Sequence, residues 1–195
     1  MVALDGPAHG DSAGGETNLL EFARALIAVE RELGGIDAIV AHSFGSSATL
    51  LALEVGLRLR RMVVIAGPAS IADVLERFME FLRMPAGVGA KFVEACARKV
   101  GRHVREMDLT SIAARTNVPA LIVHDRDDPE VPYADGVALA NAWPAAELRT
   151  VTGLGHRRIL RDSDVVREVV QFVTADVGVD DHALTRPAVR STLSH

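Results

Sequence analysis

Residues 36–48 read Ile36-Asp-Ala-Ile-Val-Ala-His-Ser-Phe-Gly-Ser-Ser-Ala48. The first six are a short apolar run of the kind that forms a buried strand. The last four begin a segment of small side chains that suits a closely packed helix. His42-Ser43-Phe44 is therefore a strand-to-helix turn carrying a hydroxyl. Similar runs recur at Arg61-Met-Val-Val-Ile-Ala66 and Pro119-Ala-Leu-Ile-Val-His124, with weaker ones at Val2-Ala-Leu4 and Glu147-Leu-Arg-Thr-Val151. Pro119 suits the first residue of a strand, where its missing N–H matters least. Between the runs, apolar residues recur at spacing three and four. Leu19, Phe22, Ala23, Leu26 and Ile27 mark a helix over 17–33, stopped by Gly34-Gly35. Further helices are expected over 43–56, over 134–143 before Pro144, and over 163–174 with Ser163 as its cap. Strands alternating with helices imply an α/β fold built on a mostly parallel sheet.

One stretch breaks the alternation. From Pro68 to Arg115 the pattern is helical throughout, over 71–84 and 88–100, joined through Pro85-Ala-Gly87. The expected organisation is a core from 1–67 and 116–176, interrupted by a helical insertion at 68–115. Residues 177–195 lack periodicity and are expected to form a disordered tail. A length of 195 residues, 49% of them hydrophobic, is enough for one core with a small additional layer. The net charge is −5 and no stretch concentrates basic residues, so neither nucleic acid nor an anionic membrane is an expected partner. The single cysteine, Cys96, excludes an internal disulfide and fits a reducing compartment. No apolar run reaches the length of a membrane span, and Met1 to Ser12 lacks the charged and apolar regions of a signal peptide. A cytoplasmic location is the expectation.

The chemistry centres on Ala41-His-Ser-Phe-Gly45, which approximates the nucleophile-elbow pattern G-x-S-x-G with Ala41 for the first glycine. That turn lifts a serine oxygen clear of the sheet, and its flanking positions are expected to be small because strand and helix nearly touch. The competing reading makes Ser43 an ordinary helix cap. Two later loops bear on the choice. Asp125-Arg-Asp-Asp-Pro-Glu-Val-Pro132 follows a predicted strand, at the end where parallel sheets carry their functional residues. Gly153-Leu-Gly-His156 follows the last predicted strand. The chain order is thus Ser, Asp, His. A serine nucleophile needs a base within hydrogen-bond reach, and that base needs an acid to fix its tautomer.

From Leu4 to about Val173 the chain resembles an α/β-hydrolase-fold serine hydrolase of the esterase and lipase kind. Asp5-Gly-Pro-Ala-His-Gly-Asp-Ser12 resembles the family's D-x-P-G-H-G-x-S turn. Ala41 to Gly45 resembles its elbow, His124 to Pro132 its H-G-x-x-D-x-x-V-P segment, and Gly155-His156-Arg157 its histidine loop. Asp125 stands where the family has glycine. The resemblance implies a triad of Ser43, Asp128 and His156, with the Phe44 backbone N–H binding the oxyanion. It also makes residues 68–115 a cap over the site. It implies a small acyl substrate, with neither a metal nor an organic cofactor.

The Val131-Pro132 offset selects Asp128 over Asp127 as the acid. A calcium loop over 125–136 fails, with Pro129 at position five and Gly136 where a glutamate is needed. His42 is expected to pack beside the elbow, and His9 to stabilise its own turn. Phe78, Phe81 and Phe92, with Met79 and Met84, form either the core of the cap or the wall of an apolar substrate pocket. Arg157 and Arg158 either meet an anionic substrate or are solvated or structural arginines. The resembled fold has eight strands, with the third lying between the fourth and fifth, and this chain offers only the fourth through the eighth. The expectation is a sheet interrupted at that point and a start codon upstream of Met1. The loop supplying the second oxyanion donor would then lie outside the chain, at roughly 10²–10³ in kcat. A non-catalytic relative of the same fold is the rival to an active enzyme.

Overall fold

In the computed structural model, residues 1–175 are described; the tail expected over 177–195 lies outside them. Four strands form one parallel sheet in sequence order: β1 (Ala38–His42), β2 (Arg61–Ile65), β3 (Ala120–Asp125) and β4 (Ala146–Val151). The ladders pair Ala38 with Arg61, Met62 with Ala120, and Ala120 with Ala146. Each crossover runs through helices: α1 (Leu19–Leu33) precedes β1, and α2 (Phe44–Glu54) joins β1 to β2. Between β2 and β3 lie α3 (Ile71–Phe81), α4 (Ala86–Val100) and α5 (Leu109–Ala113). Then α6 (Tyr133–Ala142) joins β3 to β4, and α7 (Gly155–Arg158) and α8 (Ser163–Thr174) follow.

Helix ends follow local chemistry. Asn18 caps α1, its side chain accepting the Leu20 and Glu21 N–H groups, and Gly34 closes it at φ 72°. The cap of α8 is Asp162, not Ser163, because the Asp162 side chain accepts the Asp164 and Val165 N–H groups. Alternation along the strands divides the core into two layers. Met62, Val64, Ala120 and Ile122 face a cluster built with Leu50, Leu51, Leu109, Ile112 and Trp143. Val63, Ile65, Leu121 and Val123 face Ile159, Val165 and Val169 on the other side. The central strands β2 and β3 are thus covered on both faces and read as unbroken apolar runs.

The strand expected at Val2–Leu4 is not formed. Among the described residues no strand lies beside it, so its backbone has no ladder to join, and Val2 and Leu4 stay exposed. The sheet is consequently four-stranded and uninterrupted, with β1 at its edge and Val40 half exposed. Residues 68–115 hold helices and one isolated bridge, Ser70 with Asp108. Within them, α5 packs against α2 and α6, while α3 is tied to α6 by Asp135, whose Oδ2 accepts from Arg77 at 3.1 Å and from the Ala69 N–H at 3.3 Å. No helix among the described residues is long and apolar enough to cross a membrane.

Leu50 lies wholly buried between sheet and helices. Leu50→Ala should lower the unfolding free energy by about 2–5 kcal/mol in urea denaturation. Leu33→Ala, at an exposed helix end, should change it by less than about 0.5 kcal/mol.

Candidate active site

Because all four strands run parallel, the segments after β1, β3 and β4 emerge on one rim of the sheet. Ser43 sits directly after β1, with φ 50° and ψ −119°. A positive φ is strained for any residue with a Cβ. Two backbone links hold the turn: the Ser43 N–H donates to Ile65 O at 3.0 Å, and Ser43 O accepts from the Ser46 N–H and hydroxyl. The Ser43 side chain makes no capping hydrogen bond to α2. The helix-cap reading therefore has no support here. The expected close approach at Gly45 is also absent, since a Cβ there would meet nothing within 4 Å. The tight contact lies at Ser46, whose hydroxyl would be 2.6 Å from a Cβ added at Gly67.

Asp128 and His156 meet. His156 Nδ1 is 2.8 Å from Asp128 Oδ2, with the carboxylate fully buried and the imidazole nearly so. A carboxylate only accepts, so Nδ1 carries the hydrogen, and neutral His156 keeps its lone pair on Nε2. Asp128 Oδ1 accepts the Glu130 and Val131 N–H groups at 2.8 and 2.9 Å. Asp127 points elsewhere, its Oδ2 accepting the Gly153 N–H at 3.2 Å. Glu130 Oε2 lies 4.0 Å from His156 Nε2, while its Oε1 accepts from Arg157 at 3.0 Å. Arg158 donates to Leu154 O and Gly153 O, so it braces the histidine loop.

His42 connects the first loop to the last. Its Nε2–H donates to His156 O at 2.9 Å, and the two rings are 4.5 Å apart. Burial pushes the His42 pKa below its ordinary 6.5, outweighing the hydrogen bond to His156 that favours its charged form. Asp125, wholly buried, accepts the Asp127 N–H on Oδ1 at 2.6 Å, and the Leu154 and Gly155 N–H groups on Oδ2 at 2.6 and 3.0 Å. Burial alone would raise this carboxyl, but the backbone donors outweigh it and hold its pKa below the ordinary 3.8. His124 Nε2–H donates to Val131 O, and its Nδ1 has no hydrogen-bond partner among the described residues. The ring of Phe44, the first residue of α2, meets Phe22 edge-on with centroids 5.8 Å apart and lies tilted to His9 at 6.4 Å. His9 donates to Pro7 O at 3.0 Å, within its own turn.

The family described as TAP-like protein matches residues 85–177, a span that includes Asp128 and His156 but not Ser43. Compared with curated protein sequences, the chain finds no match. Solved structures align with most of it. Est816, described as an N-acyl homoserine lactone degrading enzyme, has a TM-score of 0.64 at 19% identity, covering 86% of this chain and 80% of its own. MGS-M2, an alpha/beta hydrolase enzyme from a Medee basin deep-sea metagenome library, gives 0.64 at 18% identity, covering 90% and 79%. The esterase RhEst1 from Rhodococcus sp. ECU1013 gives 0.62 at 17% identity, covering 87% and 78%. The chain has the α/β-hydrolase fold.

In this α/β-hydrolase fold, β1 to β4 stand where the sequence placed the family's fifth to eighth strands. The three phenylalanines are not gathered together: Phe78 and Phe92 pair at 5.9 Å, whereas Phe81 is 84% exposed. A cavity of about 400 Å³ lies at the far end of α2 from Ser43, lined by Leu53, Glu54, Arg58, Ile112 and Arg115. Sequence reasoning missed the roles of Asp125 and His42. The signal available for Asp125 was a charged residue where the resembled family has glycine.

The lowered His42 pKa fixes a sign. Above 6.5 the imidazole is neutral in both folded and unfolded chains. Below it the unfolded chain takes up a proton that the folded chain refuses, so stability should fall with pH across the window down to the folded value. Urea denaturation as a function of pH should show that slope, flattened in His42→Gln. Asp125 and Asp108 contribute in a separate window, losing their stabilisation only as pH falls from 3.8 through their lowered values. At Ser43, relief of the positive φ should make Ser43→Gly more stable than Ser43→Ala by about 1 kcal/mol in thermal unfolding.

Proposed function

We propose that this protein is a serine hydrolase that cleaves a carboxylic ester or a related acyl compound through Ser43, His156 and Asp128. The observation that carries the reading is the buried 2.8 Å contact between Asp128 and His156 Nδ1, which leaves Nε2 as the basic nitrogen. His42, one residue from Ser43, bonds to the carbonyl of His156, which supports the approach of hydroxyl and imidazole. Ser43 Oγ attacks the acyl carbon while His156 Nε2 takes its proton, forming a tetrahedral intermediate. The Phe44 N–H stabilises the oxyanion. His156 then returns the proton to the leaving group, and an acyl-Ser43 ester remains. Water, deprotonated by the same nitrogen, releases the acid and restores Ser43. Asp128 stays ionised throughout and holds the imidazole in its productive tautomer.

The helices α3 and α4 act as a cap that selects the acyl chain. Est816 by its description degrades a lactone, a cyclic ester, and RhEst1 is an esterase; both substrates fall in the proposed class. A fluorophosphonate probe should label the folded wild type and leave Ser43→Ala unlabelled. Wild type that is folded yet unlabelled would instead favour a non-catalytic relative of the fold. With an ester panel graded by chain length, Asp128→Asn should lower kcat by on the order of 10³–10⁴. Asp127→Asn should cost far less; the reverse order would reassign the acid.

A further inference from the structure

We propose that Asp125 is a positioning residue that sets the His156 loop against Asp128, a proposal that rests on the triad reading for its kinetic consequence. One carboxylate joins the two segments. Its Oδ1 accepts from Asp127, one residue before the acid, and its Oδ2 accepts from Leu154 and Gly155, the two residues before the base. The distance between acid and base is thereby referred to a single rigid group at the end of β3.

The loop needs such a reference. Between β4 and α7 it holds Gly153 at φ 75°, and α7 opens with Gly155 at φ 65°. These glycines permit the left-handed turns but give the chain wide freedom when nothing holds it. The apolar support is modest, with Leu154 only partly buried against the Val165 and Val169 layer. Asp127 Oδ2 and His42 Nε2 add one bond each, at Gly153 N and His156 O. Among the described residues, Asp125 is the side chain that receives two adjacent N–H groups of this loop, and it does so without solvent exposure. Its ionisation follows from those donors, because a carboxylate accepts several N–H bonds more strongly than a neutral acid does. Asparagine keeps the shape but turns an NH₂ toward at least one of these donors. A misplacement of about 1 Å at a catalytic base is enough for a hundredfold loss of rate.

Two readouts test this. Imidazole ¹⁵N shifts of His156, measured in a Ser43→Ala background, report its tautomer whether or not the protein is an enzyme. With Asp125 present, His156 should be a single Nδ1–H tautomer; adding Asp125→Asn should give a mixture. In steady-state kinetics, Asp125→Asn should lower kcat and the fluorophosphonate labelling rate roughly tenfold to a hundredfold, with KM nearly unchanged. Asp125→Asn that folds, retains the single tautomer and keeps wild-type kcat would overturn the proposal. If Asp125→Asn does not fold, amide exchange in the wild type decides. Slow exchange at Leu154 and Gly155 supports the clamp, and exchange at open-loop rates overturns it. An unlabelled wild type whose His156 tautomer still depends on Asp125 would sink the enzyme reading while leaving the clamp in place.

Discussion

Parallel pairing of β1 through β4 is the constraint from which the rest of the arrangement follows. Parallel strands need crossovers long enough to return the chain to the opposite end of the sheet, and here those crossovers are helices laid on one face, while α8, after β4, covers the other. Burying both faces demands the apolar runs of β2 and β3 and leaves their backbone groups to be satisfied by the neighbouring strands. The same pairing directs the ends of β1, β3 and β4 to one rim. The segments that carry Ser43, Asp128 and His156, spread across more than a hundred residues, leave the sheet on the same side for that reason, and Asp128 and His156 meet there.

Fine adjustment at the rim is electrostatic and local. Asp125, Asp128 and the half-buried His42 each make at least one hydrogen bond to another loop's backbone or to His156. The carboxylates therefore need no cation to balance them, since oriented N–H donors and an imidazole N–H do so. Backbone strain is stored at Ser43, where a side chain sits on a positive-φ backbone that neighbouring hydrogen bonds hold in place.

Much of this was legible from residue order. Apolar runs of five or six bounded by helical periodicity gave β1, β2 and β3 to within two residues, and Gly34 ended α1 as its position implied. The Val131-Pro132 offset pointed to Asp128, the carboxylate that His156 meets. Val2–Leu4 misled because an apolar alternation makes a strand only when another strand offers it a ladder. Gly45 misled in the opposite sense: a small residue in the elbow pattern met no crowding, whereas Gly67, outside any motif, does. Phe81 sat among candidate pocket residues as one of the phenylalanines of the expected cap, yet its side chain is open to solvent.

What the sequence by itself determined was the succession of elements and the chemical types available at each strand end, because both depend on neighbours a few residues apart. Only the tertiary structure decided which of those groups touch. That Asp125 reaches Leu154 and Gly155, or that His42 reaches His156 O, depends on strand spacing and loop course over separations of 29 to 114 residues. No local pattern encodes such a distance; it is the outcome of packing the whole sheet.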